Sequence, residues 1–281
     1  MEYFKAEKVS PSITKIIDLT GVFVYLVEGT ERAVLIDSGT GIGNLYEFVR
    51  SLTSKPLSVI LTHGHCDHAG GAAEFDDVYL NKKDWELVSW HAVVENKTDY
   101  AKFVMGEAYE QVQMEDVCPD RTKKYLPLED GELFELGGVT LEMVAVPGHT
   151  AGMTCVLFRE ERSILFGDAC NPNVFLWDAE SLSVEEYRES LKVLKRMEDR
   201  YDTVYLSHGS TVIDKAVLDG NIKVCEEIMN GEADNCPYAF MGHSLFLAKK
   251  LNEQQERADG GIGNIVYNPD KIHRDVKARN F

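Results

Sequence analysis

Between positions 63 and 68 the chain reads His-Gly-His-Cys-Asp-His, directly after the apolar run 57–61. Three imidazoles and a carboxylate within six residues are a costly thing to place at the end of a buried strand unless they share a task. On an extended backbone, residues two apart point to the same side, so His63 and His65 can grip one ion together. Asp67 and His68 fall where the chain turns into a helix and can face a second position. Gly64 gives the bend its freedom. Imidazole and carboxylate are the donor types used for zinc, iron or manganese. The chain must therefore fold so that a strand end opens onto an ion-binding edge.

The surrounding pattern is mixed α/β. Short apolar or alternating runs at 12–17, 22–27 and 33–36, separated by Gly-containing turns, predict strands. Positions 42–52 have helical spacing, 69–74 suit a short helix, and 78–80 a strand. The stretch of about 82–125 reads as a helical insertion. Strands return at 132–136 and 140–146, joined by Gly137-Gly138, and again at 154–158 and 163–166. Ser183 and Glu186 form a capping box ahead of a helix over 184–200. A strand over 203–206 follows, then two helices over 211–230 and an edge strand at 264–267. The expectation is a single domain over 1–281, with a C-terminal region of helices and tail over about 210–281. Its architecture is an α/β (α+β layered) sandwich, sheets inside and helices outside.

The motif at 63–68 resembles the His-x-His-x-Asp-His signature of the metallo-β-lactamase superfamily. Further segments resemble that family's later motifs in order: Pro147-Gly148-His149-Thr150, Phe166-Gly167-Asp168, and Ser207-His208-Gly209. Asp37, in Ile36-Asp37-Ser38-Gly39, resembles the carboxylate that supports the ligands from behind. The resemblance implies an αβ/βα sandwich with metals at one edge. It implies that His63, His65 and His149 hold one ion, that Asp67, His68 and His208 hold a second, and that Asp168 bridges them. The expected cofactors are two divalent ions, zinc foremost, with iron or manganese accepted by the same donors.

Such a site implies a hydrolase. Two close ions hold a bridging hydroxide at neutral pH and polarise a carbonyl or phosphoryl oxygen. Asp67 is the expected catalytic residue, orienting the nucleophile and carrying its proton. Cys66 and Cys170 are read as packing residues, and the six cysteines as free thiols. His91, His243 and His273 match no motif, though His91 or His243 could line a pocket.

Composition narrows the substrate. A formal charge of −18 repels phosphate backbones, which argues against nucleic acid. No run of 18 apolar residues predicts a membrane span, and the first residues lack a signal-peptide layout, so the expected compartment is the cytoplasm. His65 stands where flavodiiron relatives carry Glu, which argues against that branch. The reading is cleavage of a small ester, thioester or lactone. Its alternatives are an iron-dependent persulfide-type dioxygenase, a phosphodiesterase or sulfatase, and a non-enzymatic metal-containing ligand sensor. The expected partner is a small molecule, with a homo-oligomer left open. Trp90, His91, Tyr100 and Phe103 of the insertion, and the segment 171–177 after Asp168, are expected to line the pocket.

Overall fold

The computed structural model describes residues 1–240 and 242–274. The first half forms a seven-stranded sheet of β1 (Lys5–Lys8), β2 (Ile13–Ile17), β3 (Phe23–Glu28), β4 (Ala33–Ile36), β5 (Leu57–Ile60), β6 (Val78–Leu80) and β7 (Leu126–Pro127), in sequential order. β1 to β4 run antiparallel and β4 to β7 parallel. The second half contributes β8 (Leu133–Glu135), β9 (Thr140–Ala145), β10 (Thr154–Phe158), β11 (Ser163–Leu165), β12 (Val174–Leu176), β13 (Thr203–Tyr205) and β14 (Val212–Ile213). All of these except β12 make a six-stranded sheet in the order β14-β13-β11-β10-β9-β8.

The two sheets stack on a shared apolar layer that includes Tyr25, Ile36, Leu141, Val156 and Tyr205. β3 explains why its sequence is apolar throughout. Tyr25 and Val27 face the other sheet, while Val24 and Leu26 face a helical layer. A strand covered on both faces has no solvent side to mark with polar residues. The helices are α1 (Leu45–Leu52), α2 (Cys66–Ala69), α3 (Trp85–His91), α4 (Val94–Met105), α5 (Val184–Arg196) and α6 (Ala216–Asn230). α1 packs outside the first sheet and α5 and α6 outside the second, which completes the expected αβ/βα sandwich. The capping box at Ser183 and Glu186 is formed, with Ser183 Oγ accepting from Glu186 N.

Several local expectations are corrected. α1 begins at Leu45, not 42, because Asn44 caps it and Ile42 bridges to Val117. The short helix expected over 69–74 starts earlier, as α2, followed by a 3-10 turn at Ala72–Glu74. The helix expected to reach 200 ends at Arg196 and continues as a 3-10 turn. The two helices expected over 211–230 are β14 followed by α6 alone. The largest correction is a third sheet that the pattern did not predict. β15 (Cys236–Phe240), β16 (His243–Leu247) and β17 (Ile265–Tyr267) join β12 in the order β12-β17-β16-β15. The strand expected at 264–267 thus lies inside a sheet, parallel to β12 and antiparallel to β16. No helix among the described residues is long and apolar enough to cross a membrane.

Glu74 gives the first layer a measurable pH dependence. Its Oε2 accepts from Tyr46 N at 2.7 Å at the start of α1, while its Oε1 is buried without a partner. Burial pushes its carboxyl up to about 7. A carboxyl raised in the folded state contributes stability below its unfolded pKa, and that stability is lost as pH rises through the folded value. Wild type should therefore lose about 2 kcal/mol relative to Glu74→Gln between about pH 5.5 and 8. Denaturant titrations at both pH values check this, and an unchanged difference between the two proteins would refute it.

Candidate metal centre

The expected residues converge at the strand ends where the two sheets meet. His63 follows β5, and His65 to His68 run into α2. His149 sits in the loop between β9 and β10, Asp168 in the 3-10 turn after β11, and His208 just beyond β13. Gly167 holds a positive φ of 54°, which turns the chain so that Asp168 faces inward. Donor atoms of His63, His65 and His149 form one group, those of Asp67, His68 and His208 another, and His63, His68 and Asp168 a third between them, each spanning no more than 4.8 Å.

The outer nitrogens reveal which way the imidazoles point. His68 Nδ1 lies 2.9 Å from Asp37 Oδ2, and His149 Nδ1 lies 2.7 Å from the Phe175 carbonyl. His65 Nε2 lies 3.2 Å from Asp178 Oδ2. The Thr62 hydroxyl donates to Asp37, so it accepts from His63 Nδ1 at 3.0 Å. All four rings therefore spend their protons outward, as metal-binding histidines do. The inner nitrogens of His63, His65 and His149 are left facing one another, while those of His68 and His208 face Asp67 and Asp168 as well as each other. His65 Nδ1 lies 3.1 Å from His63 Nε2 and 2.9 Å from His149 Nε2, and His68 Nε2 lies 3.2 Å from His208 Nε2. Tetrahedral coordination at about 2.0–2.1 Å separates ligand atoms by roughly 3.3 Å, close to these values. Asp168 Oδ2 reaches His68 and His208 at 3.3 and 3.4 Å and His149 at 3.7 Å. Its Oδ1 is buried with no partner. Facing lone pairs and an orphaned carboxylate oxygen fit divalent cations and little else.

The electrostatics do not follow the ligand groups: against burial, Asp178 raises His65, while its group partners His63 and His149 are lowered. Burial, followed by the neighbouring imidazoles, holds His63 well below the usual imidazole range, and burial with His65 lowers His149. Both stay in the neutral, ligating form. Burial opposes the charged forms of His68 and His208 too, but the carboxylates Asp67 and Asp168 outweigh it and raise both. Against burial, the same pairing holds Asp168 well below the usual carboxylate range.

Asp37 is the anchor the motif suggested. It occupies a left-handed backbone conformation, φ 65°, at the end of β4. It accepts from Thr62 N at 2.7 Å as well as from the Thr62 hydroxyl and His68. Non-glycine residues in that region cluster at functional sites, and Asp tolerates it better than most. Cys66 is buried, its Sγ 3.9 Å from the Asn96 carbonyl, and burial raises its thiol well above the usual range. Cys170 is buried beside Asn221.

Residue spacing did not reveal two further groups, Asp84 and Asp178, and it offered His91 only as a residue that could line the pocket. Asp84 is a buried carboxylate that accepts from Gly64 N, Thr150 Oγ1 and Gly152 N at 3.0, 2.7 and 2.6 Å. It ties the His63–His68 loop to the His149 loop. His91 has its ring 4.7 Å from that of His65 and accepts from Cys66 N. Asp178 supports His65 and is itself held by Ser181 N and Oγ, while Ser181 Oγ also donates to the His149 carbonyl. The only hint of Asp178 in the sequence is that it follows the segment 171–177. Tyr100, expected in the pocket, is buried near Asp67, and burial with the carboxylates Asp67, Asp18 and Asp168 raises its phenol.

The profile of the metallo-beta-lactamase superfamily matches residues 17–208. A beta-lactamase-like protein 2 homolog of Caenorhabditis elegans is 26% identical over 276 residues, covering 93% of this chain and 78% of that protein. An acyl-coenzyme A thioesterase, MBLAC2 of Bos taurus, is 30% identical over 161 residues. That match covers 51% of this chain and 56% of the thioesterase, so the chain spans about half of that relative's length. Among solved structures, a metallo-beta-lactamase family protein of Thermus thermophilus superposes with a TM-score of 0.54 at 23% identity, over 82% of this chain and 80% of that one.

Asp178→Ala is expected to weaken ion binding at the His63, His65 and His149 group by about 10–100-fold, since outer partners set ligand orientation and basicity. Competition with a chromophoric chelator measures this. Affinity equal to that of the unmodified protein would show that Asp178 does not support His65.

Proposed function

The chain belongs to the metallo-beta-lactamase superfamily, and we propose that it is a metal-dependent hydrolase of thioesters that works with two divalent ions. His63, His65 and His149 would hold one ion and Asp67, His68 and His208 the other, with Asp168 placed between the two groups. Zinc suits these donors best. The observation that carries this reading is two groups of three ligand atoms joined by a third that contains Asp168, whose Oδ1 is buried without a partner. The ions supply a water of lowered pKa and a Lewis acid for the substrate carbonyl.

The protein supplies orientation and proton handling. Asp37, Asp178, Thr62 and the Phe175 carbonyl hold the four rings in a fixed tautomer and angle. Asp67, buried near Tyr100, would take the proton of the attacking water and pass it to the leaving group. A thiol nucleophile has no part in this scheme. Cys66 is raised well above the usual thiol range and Cys170 is pushed up to about 12, both by burial. A thioester suits a site with one carboxylate for proton transfer, because a thiolate of pKa about 8.5 departs with little acid assistance. The thioesterase relative supports the same substrate class. The small-molecule reading also agrees with a formal charge of −18, which disfavours nucleic acid.

Protein purified without chelator should contain about two ions per chain and hydrolyse a simple acyl thioester. Asp168→Ala should lower occupancy at both positions and cut kcat/KM by roughly a thousandfold, the scale on which lost charge stabilisation is felt. Elemental analysis and a thiol-release assay check both. Less than one ion after reconstitution would overturn the two-ion reading. Metal-loaded protein that cleaves aryl esters or lactones but no thioester would overturn the substrate class.

A further inference from the structure

A band of aromatic rings leads away from the metal centre. At one end, Tyr100 of α4 lies near Asp67, and Phe103 lies almost one turn further along the same helix. Phe103 is 64% exposed. Its ring meets Phe240 of β15 edge-on at 6.1 Å. Phe240 in turn lies 4.9 Å from Phe175 and 5.4 Å from Trp177. Phe175 also contacts Tyr238 at 6.1 Å. At the other end, the Phe175 carbonyl holds His149, and Asp178, next to Trp177, holds His65.

We propose that Phe103, Phe175, Trp177, Tyr238 and Phe240 hold the acyl chain of the substrate, so that the enzyme prefers thioesters with long apolar acyl groups. This rests on the thioester-hydrolase reading above. The rings are half-buried apart from Phe103, and they form one continuous apolar strip that meets the metal ligands His149 and His65 at its Phe175–Trp177 end. Aromatic faces in series suit an alkyl chain, which needs contact area and no hydrogen-bond partners. The strand that supplies Tyr238 and Phe240, β15, lies beyond residues 17–208, where the superfamily match ends. The strip is therefore assembled between the shared catalytic core and a part of the chain outside it, which is where substrate choice resides in such folds.

The test uses metal-loaded full-length protein and a series of N-acetylcysteamine thioesters from acetyl to dodecanoyl. kcat/KM should rise by roughly threefold per added methylene until the strip is filled. Phe103→Ala, at an exposed position, should lower the dodecanoyl value by about tenfold and leave the acetyl value and metal content within about twofold. Equal rates for acetyl and dodecanoyl thioesters, or an equal loss on both in the variant, would overturn the proposal. A preference for acetyl dodecanethiol ester over dodecanoyl cysteamine ester would overturn it too, by placing the thiol side on the strip. If no thioester is cleaved, the thioester-hydrolase reading fails separately. Tryptophan fluorescence with a non-hydrolysable dodecyl thioether of N-acetylcysteamine then decides the strip itself. Binding that Phe103→Ala weakens supports an alkyl site, and no binding overturns it.

Discussion

Imidazole lone pairs repel one another, and this chain packs several of them face to face. His65 Nδ1 stands 2.9 and 3.1 Å from two other ring nitrogens whose protons are directed elsewhere. Such an arrangement is costly in a buried place unless a cation lies between the rings. Much of the surrounding structure serves to keep the rings from turning away. Asp37 joins the ends of β4 and β5 and holds His68. Asp84 pins the loops of His63–His68 and His149 together through backbone N–H groups. Burial raises the Asp84 carboxyl, and its three hydrogen bonds work against that rise. Stability and readiness to bind an ion are thus opposed at the centre, and the outer carboxylates reconcile them.

The sequence made the ligands and the two stacked sheets legible for a physical reason. Ligand donors must be specific residue types at strand ends, and strands buried on both faces are continuous apolar runs, as in β3 and β4. The capping box of α5 is legible because it is a local interaction three residues long. The missed elements lack such local signals. β1, Lys5-Ala6-Glu7-Lys8, is exposed throughout and carries no apolar alternation. β12 has only three residues. β15 contains Pro237, which argues against an interior strand; the structure tolerates it because β15 is the edge of its sheet. Asp84, His91 and Asp178 reach the centre from 16, 23 and 110 residues beyond His68, so their roles exist only after the chain has folded.

The third sheet explains how one short addition can serve both core and site. On one face Val174, Leu176, Ile265 and Tyr267 join the core beneath α5 and α6. On the other, Phe175, Tyr238, Phe240, Leu245 and Val266 form a smaller apolar cluster. Strand periodicity makes this division automatic, since successive residues of β12 alternate faces. Anchoring Val174 and Leu176 in the core fixes the height of Phe175, and the Phe175 carbonyl in turn sets the tautomer of His149. Packing in the C-terminal layer is in this way coupled to the metal centre through a single strand. A change in the apolar packing under β12 would be felt at His149 before it was felt anywhere else in the site, because no flexible linker intervenes between them.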